Sequence, residues 1–218
     1  MTLGAPTART AELVDRLERC PVEASERVFE GMVWDVVRDT VDLGEGGTVR
    51  REYVQHPGAV CVVALDDRDR ILLIQQYRHP VGTFEWELPA GLLDVPGEPP
   101  WEAAARELHE EADLRADEWH VLVDYFSSPG GMDEALRVYL ARGLSHVPEG
   151  DRHEREGEEL GMPVRWVDLD EAQDAVLAGR VHNPSAVIGV LAAHAARQRG
   201  WGTLRPHDAP WPEHPTQR

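Results

Sequence analysis

The sequence predicts an α/β (α+β) protein with a small antiparallel β subdomain at its N-terminus. Three observations carry that prediction. Val-rich segments fill residues 27–55, broken by Gly31 and the turn "GEGG" at 44–47. Two apolar runs of strand length, "AVCVVALDD" and "RILLIQQYR", follow on either side of "DDRDR". The segment "EPPWEAAARELHEEA" has the composition of a helix, with prolines in its first turn, where a missing N–H costs little.

Taken in order, residues 10–20, "TAELVDRLERC", predict a short amphipathic helix with Leu13 and Leu17 on one face. "RVFEGMVWDVVRDTVDL" predicts one or two strands, and "TVRREYV" another that ends at "HPG". The two apolar runs form a hairpin of buried strands, and "TFEWELPAG" is a strand stopped by Pro89 and Gly91. After the central helix come strands in "EWHVLVDYF" and "LRVYLARGL", separated by the loop "SSPGGMDE". The acidic segment "DRHEREGEELG" leads to a strand in "MPVRWVDL". Two helices close the fold: "DEAQDAVLAG", ended by Gly179, and "NPSAVIGVLAAHAARQRG", with Pro184 at its start and Gly200 after its end. The expected domains are residues 1–57 as helix and antiparallel subdomain, 58–202 as the main domain, and 203–218 as a Pro-rich tail. That tail has little to pack and is expected to be mobile or laid along the surface.

Composition excludes several function classes. A net charge of −18 disfavours nucleic acid and anionic membranes as partners. It also repels an anionic small substrate unless cations intervene. Cys20 and Cys61 give no disulfide framework, and no Cys-x-x-Cys occurs, so a structural zinc site is not expected. Cys61 lies in an apolar run and reads as a core residue. No signal-like or membrane-spanning apolar stretch occurs, so the expected location is the cytoplasm.

One stretch of the central helix stands out. In "RELHEEADL", Glu107, Glu110 and Glu111 are three and four residues apart and reach one side. Like charges at that spacing repel. Two readings are open: a solvated acidic face, or a cluster of hard oxygen ligands for Mg²⁺ or Mn²⁺. The surroundings favour the second. Gly91, a loop with Gly97 and Glu98, then Arg106, Glu107, Leu108, Glu110, Glu111 and Leu114 stand in order. This arrangement resembles the Nudix box. Two departures occur. Six residues separate Gly91 from Glu98, where the pattern has five, and Asp113 stands where the pattern has glycine in a left-handed conformation.

The resemblance implies a Nudix-fold α/β/α sandwich around a mixed sheet and a divalent-metal-dependent pyrophosphohydrolase. It implies that Glu107, Glu110, Glu111 and the Ala90 carbonyl hold Mg²⁺, with Mn²⁺ as an alternative. Glu98 and Arg106 would form an orienting ion pair. Pro129 in "SSPGGMDE", and the run "QQYRHPVGTFEWELPAG", are similar to the ADP-ribose pyrophosphatase branch. That branch implies ADP-ribose as substrate, with another sugar nucleotide, a dinucleotide or a non-catalytic ADP-ribose sensor as rivals. It places substrate contacts at Arg78, at Gly130, Gly131 and Met132, and at Arg50 and Glu52. For Arg78 an ordinary surface strand position is the alternative. In similar enzymes the N-terminal sheet is exchanged across a homodimer. Trp34 either stacks on a base or packs the sheet. The general base would lie in "DRHEREGEELG", with Glu158 and Glu159 first and Glu154 and Glu156 competing.

Overall fold

A computed structural model describes residues 8–155, 157 and 160–214 of the chain. The chain divides into two compact units, Met1–Tyr53 and Val54–Arg218. The first holds a sheet of hydrogen-bonded order β1 (Val22–Phe29), β2 (Asp35–Asp42), β3 (Thr48–Gln55), with β1 and β2 antiparallel. Arg38 on β2 bridges to Glu52 on β3 at 2.6 Å, and Tyr53 donates to Asp39. Val37 is buried, whereas every residue of β1 is exposed.

The expected helix over residues 10–20 does not form. Only a 3-10 turn, Thr10–Glu12, is present, and Leu13 and Leu17 are exposed. A single short amphipathic segment cannot offset its nucleation cost unless something buries its apolar face.

The second unit is a three-layer α/β/α sandwich. Its larger sheet has the order β11 (Arg205–Pro206), β8 (Leu114–Phe126), β9 (Ala135–His146), β4 (Ala59–Ala64), β7 (Ala90–Leu92). The sheet is mixed, with β4 parallel to β9 and the β8–β9 and β4–β7 pairs antiparallel. A smaller antiparallel sheet runs β10 (Val164–Asp168), β5 (Arg70–Arg78), β6 (Thr83–Glu87). Alternation along β4 explains the layering. Val60, Val62 and Ala64 face the core that holds Ala103, Ala104 and Leu108 of helix α1 (Pro100–Ala112). Cys61 and Val63 face the opposite core, with Ala172 of α2 (Leu169–Leu177) and Val190 and Ala193 of α3 (Pro184–Gln198). A continuous apolar run is therefore the mark of a strand covered on both faces. Burial holds the Cys61 thiol up at about 12, which leaves it an inert core group.

The helix ends follow their local chemistry. Asp168 and Asn183 accept hydrogen bonds from Asp170 N and Ala186 N as N-caps of α2 and α3. Helix α1 stops at Asp113, which adopts the left-handed conformation with φ 53° and ψ 38°. Between the end of β6 and α1 the chain does more than stop at Pro89: residues 90–92 form β7 and pair with β4.

The tail is laid on the second unit and packed into it. Arg205–Pro206 pairs with β8, and Trp211 and His214 are buried. Arg137, 2% exposed, anchors it. Its guanidinium donates to the Ala209 and Pro210 carbonyls at 2.7 and 3.1 Å, pairs with Asp124, and lies over the Trp211 ring. Proline removes donors but keeps its carbonyl, and the acceptors suffice when the partner is an arginine.

Candidate active site

The second unit brings the box residues together where α1 lies against β7. Ala103, Ala104 and Leu108 seat α1, and helical spacing puts Glu107 and Glu111 on that same packed side, Glu111 buried with them and Glu110 at its edge. The Ala90 amide donates to Glu111 Oε2 at 2.8 Å, and Glu111 is 5% exposed. A Cβ at position 91 would stand 1.8 Å from Glu107 Oε1, so glycine is what lets this carboxylate approach the β7 backbone. The acidic turn of α1 is thus pressed onto the Ala90–Gly91 bend.

Arg106 provides the counter-charge. It donates to Glu98 from Nε at 3.1 Å and Nη2 at 3.2 Å, and its Nη1 lies 2.6 Å from Glu107 Oε1 and 3.1 Å from Glu110 Oε2. The Glu98 hydrogen bonds, aided by Glu107, raise the Arg106 pKa further above its ordinary value, against the effect of burial. Among the described residues no group of three His, Cys, Asp or Glu side chains converges closely enough to hold a metal ion as arranged. Glu107 and Glu110 are turned to Arg106, and Glu111 to the Ala90 amide. The donor chemistry nevertheless suits a hard divalent ion: carboxylate oxygens from a single turn, beside a backbone bend kept open by glycine.

Arg78, at the end of β5, makes a two-pronged bond to Glu87, Nε–Oε1 at 2.8 Å and Nη2–Oε2 at 2.7 Å. Glu87 is 2% exposed. A carboxylate that deep must be paired, and the fork geometry fixes the guanidinium plane. No motif in the sequence singles out Glu87. Its signal was a charge between Trp86 and Leu88, in a strand otherwise destined for the core.

The loop with Gly130, Gly131 and Met132 is held from two sides. Val54 N donates to Gly131 O at 2.9 Å, and Asp133 N to Val54 O at 3.2 Å. Asp133 Oδ1 accepts from His56 N at 2.8 Å. Gly58 N donates to His56 Nδ1 at 3.0 Å, so the imidazole proton sits on Nε2 and is given to Glu134 Oε1 at 3.1 Å. Ser127 Oγ also donates to Glu134. Burial lowers the His56 pKa, with Glu134 and Asp133 opposing. This clamp was not foreseen, because its members lie far apart in sequence.

Arg50 and Glu52 lie on β3 in the first unit, where Glu52 is engaged by Arg38. Of the expected general bases, Glu158 and Glu159, with their competitor Glu156, lie outside the described residues. Glu154 is exposed.

A family model described as "NUDIX domain" matches residues 55–186, well over half of the chain. The chain belongs to the NUDIX family. Relatives and a solved structure agree with that membership. The chain is 47% identical over 193 residues to an ADP-ribose pyrophosphatase of Mycobacterium tuberculosis, covering 88% of this chain and 91% of that one. It is 35% identical over 167 residues to an ADP-ribose pyrophosphatase of Bacillus subtilis, covering 77% and 88%. A crystal structure described as an ADP compounds hydrolase superposes with TM-score 0.67 at 25% identity, over 87% of this chain and 99% of that one. In this NUDIX hydrolase the stretch that resembles the box runs from Gly91 to Leu114, and two of its carboxylates, Glu107 and Glu111, are pressed onto the Ala90–Gly91 bend.

Proposed function

We propose that this NUDIX hydrolase cleaves the pyrophosphate of a nucleoside diphosphate sugar, ADP-ribose first, giving AMP and ribose 5-phosphate. The observation that carries the reading is the packing of Glu107 and Glu111 against the Ala90–Gly91 bend, with Glu110 linked to Glu107 through Arg106. Mg²⁺, or Mn²⁺ in its place, would be held by those three carboxylates and the Ala90 carbonyl. A divalent ion supplies positive charge to the pyrophosphate oxygens and makes water more acidic. In a chain of net charge −18 that local charge is what admits an anionic substrate. The remaining tasks fall to the protein. Glu98 engages Arg106 and keeps the loop on the helix. Arg78, its plane set by Glu87, offers a charged donor to substrate phosphate or ribose. Gly130, Gly131 and Met132 contact the substrate from the loop held by His56. The base is assigned to the acidic segment 154–159, with Glu158 and Glu159 first.

We further propose a homodimer in the cytoplasm. Exposed Phe29, Met32 and Val33 of the first unit supply apolar surface for a second copy. Cys20 and Cys61 are both free, which accords with a reducing compartment.

Glu111→Gln tests the site, because the amide keeps an oxygen that can accept from Ala90 N. Turnover of ADP-ribose with Mg²⁺ should fall by at least about 100-fold with an unchanged far-UV spectrum. Wild-type activity in that variant rejects the metal assignment. A panel of ADP-, GDP- and UDP-sugars and dinucleotides, with products identified, tests the substrate; a better turnover of any other member displaces ADP-ribose.

A further inference from the structure

The loop of residues 127–134 is fixed at its base and open at its tip. Ser128, Pro129, Gly130 and Gly131 are exposed. A Cβ built at Gly130 or Gly131 would meet no atom within 4 Å. Gly131 N and Met132 N donate to Ser128 O at 2.9 and 3.0 Å, bonds internal to the loop. A tip with two glycines has much conformational freedom to lose when it meets a ligand.

Backbone bonds with Val54 hold Gly131 and Asp133, and the side-chain hold is made by His56 and Glu134. Glu134 Oε1 lies 3.1 Å from His56 Nε2, and Glu134 Oε2 accepts from Ser127 Oγ. One carboxylate thus joins both ends of the loop to the chain after β3. The two side chains are shielded, 4% and 16% exposed. His56 is itself set by Gly58 N on Nδ1 at 3.0 Å, and its own amide donates to Asp133 Oδ1 at 2.8 Å. Gly58 also reaches the box. Its carbonyl accepts from Leu93 N at 3.0 Å, two residues past Gly91. Position 58 has φ 90°, and a Cβ there would stand 2.4 Å from His214 Nε2, so the corner is fixed by backbone and packing together. His56–Gly58 therefore ties the 127–134 loop and the Ala90–Gly91 bend to one point of the chain.

We propose that His56 and Glu134 are positioning residues for the substrate: they hold the tip Gly130–Met132 at a set distance from the Ala90–Gly91 bend, so that a nucleoside diphosphate sugar meets a loop already in its bound shape. The role rests on the contact of Gly130, Gly131 and Met132 with substrate proposed above. Both side chains act through the loop. An ordered loop loses less freedom on binding, so the effect falls on affinity and leaves the chemical step nearly unchanged.

The test measures kcat and KM with Mg²⁺ and the member of the substrate panel that the wild type turns over best. His56→Ala and Glu134→Ala should each raise KM by about 5- to 10-fold with kcat within about twofold of the wild type. Glu134→Gln should keep KM within about twofold, since its amide oxygen still accepts from His56 and its nitrogen can donate to Ser127 Oγ. The double variant of His56→Ala and Glu134→Ala should be no worse than the poorer single one, because the two side chains form one unit. Gly130→Leu reports on the tip alone, where a Cβ has open space. It should raise KM by at least about fivefold with an unchanged melting temperature. A variant that merely loses folded protein loses apparent kcat at constant KM, so the split separates positioning from stability. Wild-type KM in Glu134→Ala, with KM raised in Gly130→Leu, overturns the positioning role alone. Wild-type KM in Gly130→Leu overturns the substrate contact beneath it. A fall in kcat at constant KM in Glu134→Ala makes the pair merely structural and also overturns the role. A wild type that turns over no member of the panel overturns the reading of function itself. If His56→Ala does not fold, Glu134→Ala and Glu134→Gln decide the matter from the partly exposed side of the pair.

Discussion

At Gly91 a Cβ would stand 1.8 Å from Glu107 Oε1 and 2.0 Å from its Cδ. All the atoms in the way belong to the Glu107 side chain, so a Cβ would drive that carboxylate off the bend without moving the β7 backbone or the helix. Gly91→Ala should therefore cost less than about 1 kcal/mol in urea unfolding and yet remove most activity, because the Glu107 carboxylate is displaced from the bend. Retention of full activity would show that Glu107 need not approach the bend. The demand at Gly91 is steric, and a motif match reveals it only as a letter. Glu87 illustrates the converse. No pattern drew attention to it, yet its burial obliges Arg78 to lie across it. A charge in an apolar strand signals that some partner exists, but only the β5–β6 pairing says that the partner is Arg78.

Elements are joined by contacts of long sequence separation, and the loop of residues 127–134 shows the consequence. It is held at the end of β3 by Val54 and just beyond it by His56, whose ring accepts from Gly58. His56 is neutral with Nδ1 accepting from Gly58, so protonation would remove an acceptor from a buried amide. Its folded pKa lies below the ordinary 6.5, chiefly through burial. Between the lowered folded value and 6.5 the unfolded chain binds more protons than the folded one, so stability rises with pH across that window. The contribution is complete above about 6.5 and is lost as pH falls through the folded pKa. His56→Asn keeps an acceptor at that place without the titration. Urea midpoints measured from pH 7.5 to 5 should fall more steeply for the wild type than for this variant. Parallel curves would remove His56 from the pH dependence. The C-terminal tail makes the same point about separation. Its prolines suggested a segment with nothing to pack, and it is Arg137, far upstream on β9, that gives the Ala209 and Pro210 carbonyls a partner.

For the whole molecule the proposed homodimer is the quantity to measure. Strand β1 is exposed along its length, and Phe29, Met32 and Val33 are open to solvent. The expected helix of residues 10–20 is absent, leaving Leu13 and Leu17 exposed as well. Sedimentation equilibrium should return twice the chain mass of 24.4 kDa at micromolar concentration. Phe29→Asp should shift the molecule toward the monomer by placing a charge on that surface. A wild type that sediments as a monomer throughout would reject the dimer. No helix of the described residues is long and apolar enough to cross a membrane.

Periodicity and punctuation in the sequence determined most strands, the three helices and their ends, because those depend on neighbours within a few residues. The order of glycine, arginine and glutamates singled out the turn to which the metal is assigned in the proposal, because helical spacing alone puts Glu107, Glu110 and Glu111 within reach of one another. Tertiary structure decided the rest. Pairing with β4 made β7 a strand, and Arg137 drew in the tail. Arg155 closed onto the end of α1, and Glu87 set the plane of Arg78. Each of these joins polar groups that only the folded chain brings together, and the partners are chosen by proximity in space, which no local pattern encodes.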